Sequence, residues 1–336
     1  MKQRGGRGGA KAPRMAPARR RAAPVGSSSA FAALATERVH PAADRLDALP
    51  IAGVVRLLLD EEAKAVAAVA RAAAAITAAA ELYARTLASG GRVIYVGAGT
   101  SGRLGALDAA ELPPTFGIAA GRVIALVAGG PAALQRSVEG AEDRRRGAAA
   151  AMARLDVGAG DLVCAIAASG VTPYTLGALD LARARGARTI FITARGATGA
   201  TPAPSAAADL EIAVDVGPEV IAGSTRLKAG TATKLVLNGI STAAMVRLGK
   251  VYRGRMIDLV ATNAKLRARA LRIVGELGAV DEAEADRLLT EAGGEVRVAL
   301  AAAITRTTVA AARKRLAKVG GKLADLATRG STTTAC

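Results

Sequence analysis

Five short apolar runs punctuate the chain, at residues 93–96, 123–127, 162–167, 189–193 and 210–214. Each is too short for a helix of ordinary length and is bounded by glycine or polar residues, so each predicts a strand buried on both faces. Longer stretches with helical spacing lie around and between them: 52–59, 60–88, a segment from the glycine turn at 97–102 to Pro113-Pro114, 135–143, 173–185, and one from the 223–230 turn to about 248. Asp60 reads as the N-cap of the second of these, and Gly90-Gly91 stops it. Strands alternating with helices predict an α/β fold with a doubly wound parallel sheet flanked by helices. Ligands in such folds sit at the carboxyl ends of the strands. From residue 264 the strands cease, and helical segments at 266–277, 282–292, 296–309 and 311–316 predict a small helical C-terminal subdomain. Residues 1–30 show no periodic apolar face and read as a disordered basic tail. The expected organisation is therefore tail 1–30, α/β domain 31–262 and helical subdomain 263–336.

Composition narrows the function. The chain has 336 residues, 51% of them hydrophobic but only 2% aromatic, and much of the apolar content is alanine. A net charge of +18 raises the question of nucleic acid. Lys2, Arg4, Arg7, Lys11, Arg14, Arg19, Arg20 and Arg21 supply eight of those charges in the tail, without an acid. The remaining +10 is spread along helices without interleaved aromatics, which predicts a solvated basic surface rather than a specific nucleic-acid interface. The tail lacks the apolar segment of a secretory signal. Two cysteines, Cys164 and Cys336, and one histidine, His40, allow neither a disulfide framework nor a histidine-built metal site, and fit a reducing cytoplasm.

The richest stretch is RVIYVGAGTSGRLGALDAAELPPTFG, residues 92–117. A buried strand, a glycine turn and a helix start together make an anion site, because unpaired N–H groups meet the positive end of the helix dipole. The turn also fits the dinucleotide fingerprint G-x-G-x-x-G. That reading needs an acid at the end of the next strand, where this chain has Ala128-Gly129-Gly130. Thr100 and Ser101 offer hydroxyls suited to a phosphate monoester; a purely structural turn is the other reading. Ser169 and Thr172 follow the third strand in the same way, and each of the four hydroxyls serves equally as a helix cap. Glu111 is placed in the last turn before Pro113-Pro114, where the dipole would raise its pKa toward that of a general acid; an ordinary surface glutamate fits the same position. Glu139 and Glu142 are expected on one helical face, as an acidic surface beside Arg144-Arg145-Arg146.

The run GTSGRLGALDAAELPPTFG closely resembles the signature of the N-acetylmuramic acid 6-phosphate etherases, members of the sugar-isomerase (SIS) superfamily. The resemblance continues in VEGAED (138–143), IAASGVTPY (166–174), GSTRLKAGTATKLVLN (223–238), MVRLGKVY (245–252) and ATNAKLRARA (261–270). It runs from Thr36 into the C-terminal region. It implies a SIS-type sheet, a cytoplasmic homodimer with interfacial sites, a phosphosugar substrate, and neither metal nor cofactor, membrane nor nucleic-acid partner. Glu111 then matches the catalytic acid and Glu142 the second active-site glutamate. Gly99, Thr100, Ser101, Gly102, Ser169, Gly170, Thr172, Ser224, Arg226 and Lys228 become substrate-binding residues. The implied reaction removes D-lactate from C3 of the sugar by elimination and hydration, and a non-catalytic sugar-phosphate regulator is the alternative. Three sites depart from the family's pattern, at four residues: Val171 stands where arginine is usual, Gly254 where asparagine is frequent, and Val39-His40 where Asn follows Arg in the family, so His40 is expected at the surface.

Overall fold

The computed structural model describes residues 34–195, 208–258 and 264–330. The tail at 1–30, the 262/263 boundary and the Ser-Thr-Thr-Thr-Ala-Cys end lie outside them. The elements are α1 (Ile51–Arg71), α2 (Ala73–Ala88), β1 (Val93–Gly97), α3 (Gly99–Phe116), β2 (Val123–Val127), α4 (Ala149–Arg154), β3 (Leu162–Ile166), α5 (Pro173–Ala184), β4 (Arg188–Thr193), β5 (Leu210–Ala213) and α6 (Lys228–Arg247). A hairpin of β6 (Val251–Tyr252) and β7 (Arg255–Met256) follows, then α7 (Ala264–Gly278), α8 (Glu282–Glu291), α9 (Val296–Thr305), α10 (Val309–Lys318) and α11 (Leu323–Gly330).

The five strands form one parallel sheet in the order β2-β1-β3-β4-β5. Successive side chains point to opposite faces, so each strand divides its residues between two cores. Val93, Tyr95, Leu162, Cys164, Ile166, Ile190 and Ile192 meet α2, α3 and α6. Ile94, Val96 and Val163 meet the layer of α4 and α5. Burial on both faces explains why these strands read as continuous apolar runs. The C-terminal helices build a separate core from Ile273, Leu288, Leu289, Val296, Leu300 and Leu316.

The structure differs from the expectation at three helices. The first helix begins at Ile51 and runs straight through Asp60, then bends by 64° at Ala72. The bend lets both α1 and α2 lie along α6. Among the described residues no single helix is long and apolar enough to cross a membrane, although α1 and α2 together have the length and composition. Helix α3 continues through Pro113 and Pro114 to Phe116, because proline's fixed φ is itself helical, and Gly117 stops it in the left-handed conformation (φ +61°). Residues 135–143 form turns instead of a helix. Gly140 has a positive φ between Glu139 and Glu142, which breaks the helical path, so the two share no helical face.

Candidate active site

Strand order reverses between β1 and β3, and a parallel α/β sheet opens a crevice at that point. The two loops bordering it are those that leave β1 and β3. In the first, Gly97 and Gly102 pack so closely that a Cβ on Gly97 would lie 2.6 Å from the Gly102 nitrogen. Gly99 opens α3 at φ +52°, and neither a side-chain cap nor an acid occupies that helix start. Thr100 and Ser101 are half-buried, and the Thr100 methyl approaches Gly230 of α6. Helix α3 is fixed in rotation by Asp108, which accepts from the Tyr95 hydroxyl (2.7 Å) on β1 and from Ser241 (2.9 Å) on α6. Burial pushes the Asp108 carboxyl upward, against these two bonds.

In the second loop Gly170 takes φ +77° and its N–H donates to the Ala167 carbonyl, while Ser169 Oγ accepts from the Val171 N–H at 3.4 Å. Thr172 caps α5 through its backbone only, leaving its hydroxyl out of the cap. The Tyr174 N–H donates to the Glu142 carbonyl (2.9 Å), which pins exposed Glu142 beside this loop. A cavity of about 590 Å³ adjoins it, lined by Gly129, Val138, Ala141, Arg144 and Tyr174. The structure thus brings Gly99, Thr100, Ser101, Gly102, Ser169, Gly170, Thr172 and Glu142 to one edge of the sheet.

Glu111 is not among them. It is exposed on α3 well before the helix end, and twelve residues of helix put it roughly 18 Å from Gly99 along the axis. That is far longer than one sugar phosphate.

The 223–230 turn corrects the sequence reading more sharply. Arg226 is exposed and Ser224 half-buried, but Lys228 is 2% exposed and turned inward. Its Nζ donates to Glu61 (2.7 Å), so it is not presented to a ligand. Glu61 is itself buried and also accepts from Lys64 and, at 3.2 Å, meets His40 Nε2. His40 Nδ1 accepts from the Ala42 N–H (3.1 Å), so Nε2 carries the hydrogen toward Glu61. His40 is therefore a buried connector (8% exposed), not a surface substitution. Burial works to raise the Glu61 pKa, but the bonds from Lys228 and Lys64 prevail and bring it down to about 2. The first two N–H groups of α6, on Lys228 and Ala229, donate to the buried carboxylate of Glu219 (3.1 and 2.9 Å). Burial raises the Glu219 pKa, and its two backbone bonds oppose that rise.

Sequence reasoning missed Glu61, Glu219 and Asp108, since an acid at a buried position looks like any other acid in a helix or turn. It also passed over Arg195, whose side chain lies against Gly170. Among the described residues no group of His, Cys, Asp and Glu could hold a metal ion.

Comparison with known proteins shows what this chain is similar to. The family of the glucokinase regulatory protein N-terminal SIS domain matches residues 75–183. The N-acetylmuramic acid 6-phosphate etherase of Gloeobacter violaceus is 49% identical over 290 residues, covering 86% of this chain and 94% of that protein. The enzyme of the same name from Serratia proteamaculans is 45% identical over 299 residues, covering 88% and 99%. Among solved structures, the sugar isomerase domain of the RpiR transcription factor from Sphaerobacter thermophilus covers 50% of this chain and 83% of that one, at 19% identity and a TM-score of 0.33. With its parallel sheet, its two glycine-hydroxyl loops and near-full-length identity to etherases of this order, the chain belongs to the N-acetylmuramic acid 6-phosphate etherase family.

Proposed function

We propose that this protein is a cytoplasmic, homodimeric lyase that cleaves the D-lactyl ether of N-acetylmuramic acid 6-phosphate. The products are N-acetylglucosamine 6-phosphate and D-lactate. The observation that carries the reading is the 49% identity to an etherase across 94% of that enzyme's length. The opened sugar exposes an aldehyde at C1, which acidifies the C2 hydrogen. A carboxylate removes that proton, lactate leaves C3 with a proton from a carboxylic acid, and water adds back to the unsaturated aldehyde. Two carboxyl groups, one acting as base and one as acid, serve this redox-neutral sequence. Glu142 is the base, beside the hydroxyls of Ser169 and Thr172. The acid is Glu111 of the second protomer, because twelve residues of α3 separate Glu111 from the hydroxyl loop at Gly99 within one chain. A ridge of Ile51, Val55 and Leu59 along α1 is 84%, 48% and 63% exposed at helical spacing, and a second copy would cover it.

The alternative, a non-catalytic regulator, draws on the match to a regulatory protein's domain, which is confined to residues 75–183. Release of D-lactate by purified protein separates the two. Mixing subunits tests the shared site. Glu111→Gln and Glu142→Gln should each lose at least ~10²-fold in turnover. Random reassortment of the two should restore about a quarter of wild-type activity, since half the dimers are then mixed and carry one complete site. No recovery in demonstrably mixed dimers would place both glutamates in one protomer.

A further inference from the structure

The backbone register of the sheet carries past its last strand residues. The Ala167 N–H donates to Ile192 and the Ala194 N–H to Ala168 (both 3.0 Å), so the residues that follow, Ser169-Gly170 and Arg195, lie side by side. A Cβ on Gly170 would lie 2.6 Å from Arg195 Nε and 2.7 Å from its Cδ. The arginine thus fills the space that a side chain at 170 would take. Its far end is anchored by Glu211 of β5 (Nη2 to Oε1, 2.8 Å), and its side chain is only 11% exposed. Within that setting Nε is buried and donates to no acceptor among the described residues. A buried N–H of a charged group without an acceptor is costly, and such atoms call for a missing partner.

The loop beside it, Ser169-Gly170-Val171-Thr172, carries two hydroxyls but no cation of its own. We propose that Arg195 supplies that cation from the neighbouring strand: the phosphate monoester of the substrate sits on the Ser169–Thr172 loop and accepts from the Arg195 guanidinium across Gly170. The proposal rests on the etherase reading of this site and adds to it a residue that selects for phosphate. Glycine at 170 is then required twice, for its left-handed φ and for the passage of the arginine. Glu211 holds the guanidinium in register while taking one of its five donors.

The test uses the full chain, with inorganic phosphate as probe beside the muramic acid phosphate. Arg195→Gln should raise KM and the phosphate dissociation constant about tenfold or more, the scale of a charge-assisted hydrogen bond, with kcat changed less than about threefold. Adding Val171→Arg to Arg195→Gln should restore most of both, a rescue that a merely structural arginine would not show. A folded Arg195→Gln protein with unchanged phosphate affinity, or no rescue in the double variant, overturns the proposal. Should Arg195→Gln fail to fold, the Nε–H resonance of Arg195 in the wild type decides: it should move on phosphate titration, and a fixed signal overturns the assignment. Wild-type protein that binds phosphate but releases no lactate would refute the etherase reading while leaving the Arg195 measurement intact.

Discussion

Helices α5 and α6 start at the same edge of the same sheet, yet their first turns are finished in opposite ways. At α6 a buried carboxylate, Glu219, takes the first two N–H groups, and the adjoining lysine turns inward to Glu61. The positive end of that helix is neutralised from within, and its partners are buried. At α5 the first residue is Pro173, without an N–H, and the second donates to a neutral backbone carbonyl of Glu142. No acid stands in its first turn, so its positive field is not offset there. Both starts look alike in sequence, as glycine and hydroxyl residues ahead of a helix. What differs is whether a carboxylate is folded against the N–H groups, as Glu219 is at α6 and no acid is at α5.

Breaking the closed start should have the largest effect. Glu61→Ala leaves Lys228 buried without its partner and should cost roughly 3–5 kcal/mol in denaturant unfolding, while the folded fraction keeps its KM. A loss below about 1 kcal/mol would mean that the lysine swings out to solvent. Acid sharpens the same point. The Glu61 pKa is lowered from 4.5 to about 2, so its stabilisation is whole above pH 4.5 and is lost as pH falls toward 2. A shift of that size corresponds to about 3 kcal/mol. The stability gap between wild type and Glu61→Gln should narrow over that window, and a pH-independent gap would exclude titration of Glu61.

The open start should respond in binding rather than stability. Ser169→Ala and Thr172→Ala should each raise KM about three- to tenfold, near 1 kcal/mol per hydroxyl, with unfolding midpoints unchanged. The reverse pattern, a stability loss without a KM change, would return both hydroxyls to capping. Smallest of all should be Val171→Arg in the otherwise native chain. With Arg195 already beside the loop, KM should change by less than about twofold, below about 0.5 kcal/mol. A strong gain in affinity would show that the loop still lacks a cation.

The sheet was legible because burial on both faces turns each parallel strand into an unbroken apolar run. The two loops at its switch point followed from glycine and hydroxyl chemistry at strand ends. The 135–143 segment was not legible as turns, since its spacing was read as helical and the positive φ of Gly140 in its middle leaves no mark in the pattern. Lys228 was assigned to substrate because a cation at a helix start reads the same whether it points outward or inward. His40 carries no local sign that its ring reaches Glu61, far along the chain in α1. Arg195 is invisible for a different reason: its meeting with Gly170 depends on the pairing of β3 with β4, which no local pattern encodes.

The bond between Lys228 and Glu61 joins positions 167 apart. A chain emerging from the ribosome makes α1, α2 and the first four strands long before α6, the helix on which α1 and α2 both lie. Until residue 228 arrives, Glu61 has no buried lysine, and α1 has no α6 to lie along. The nascent chain must therefore keep α1 unseated through most of synthesis, then dock it in one late, long-range closure. Such closures are slow because loop entropy is lost before the contacts that reward it exist. The bond that closes the finished fold is also the step at which an incomplete chain is most exposed to aggregation.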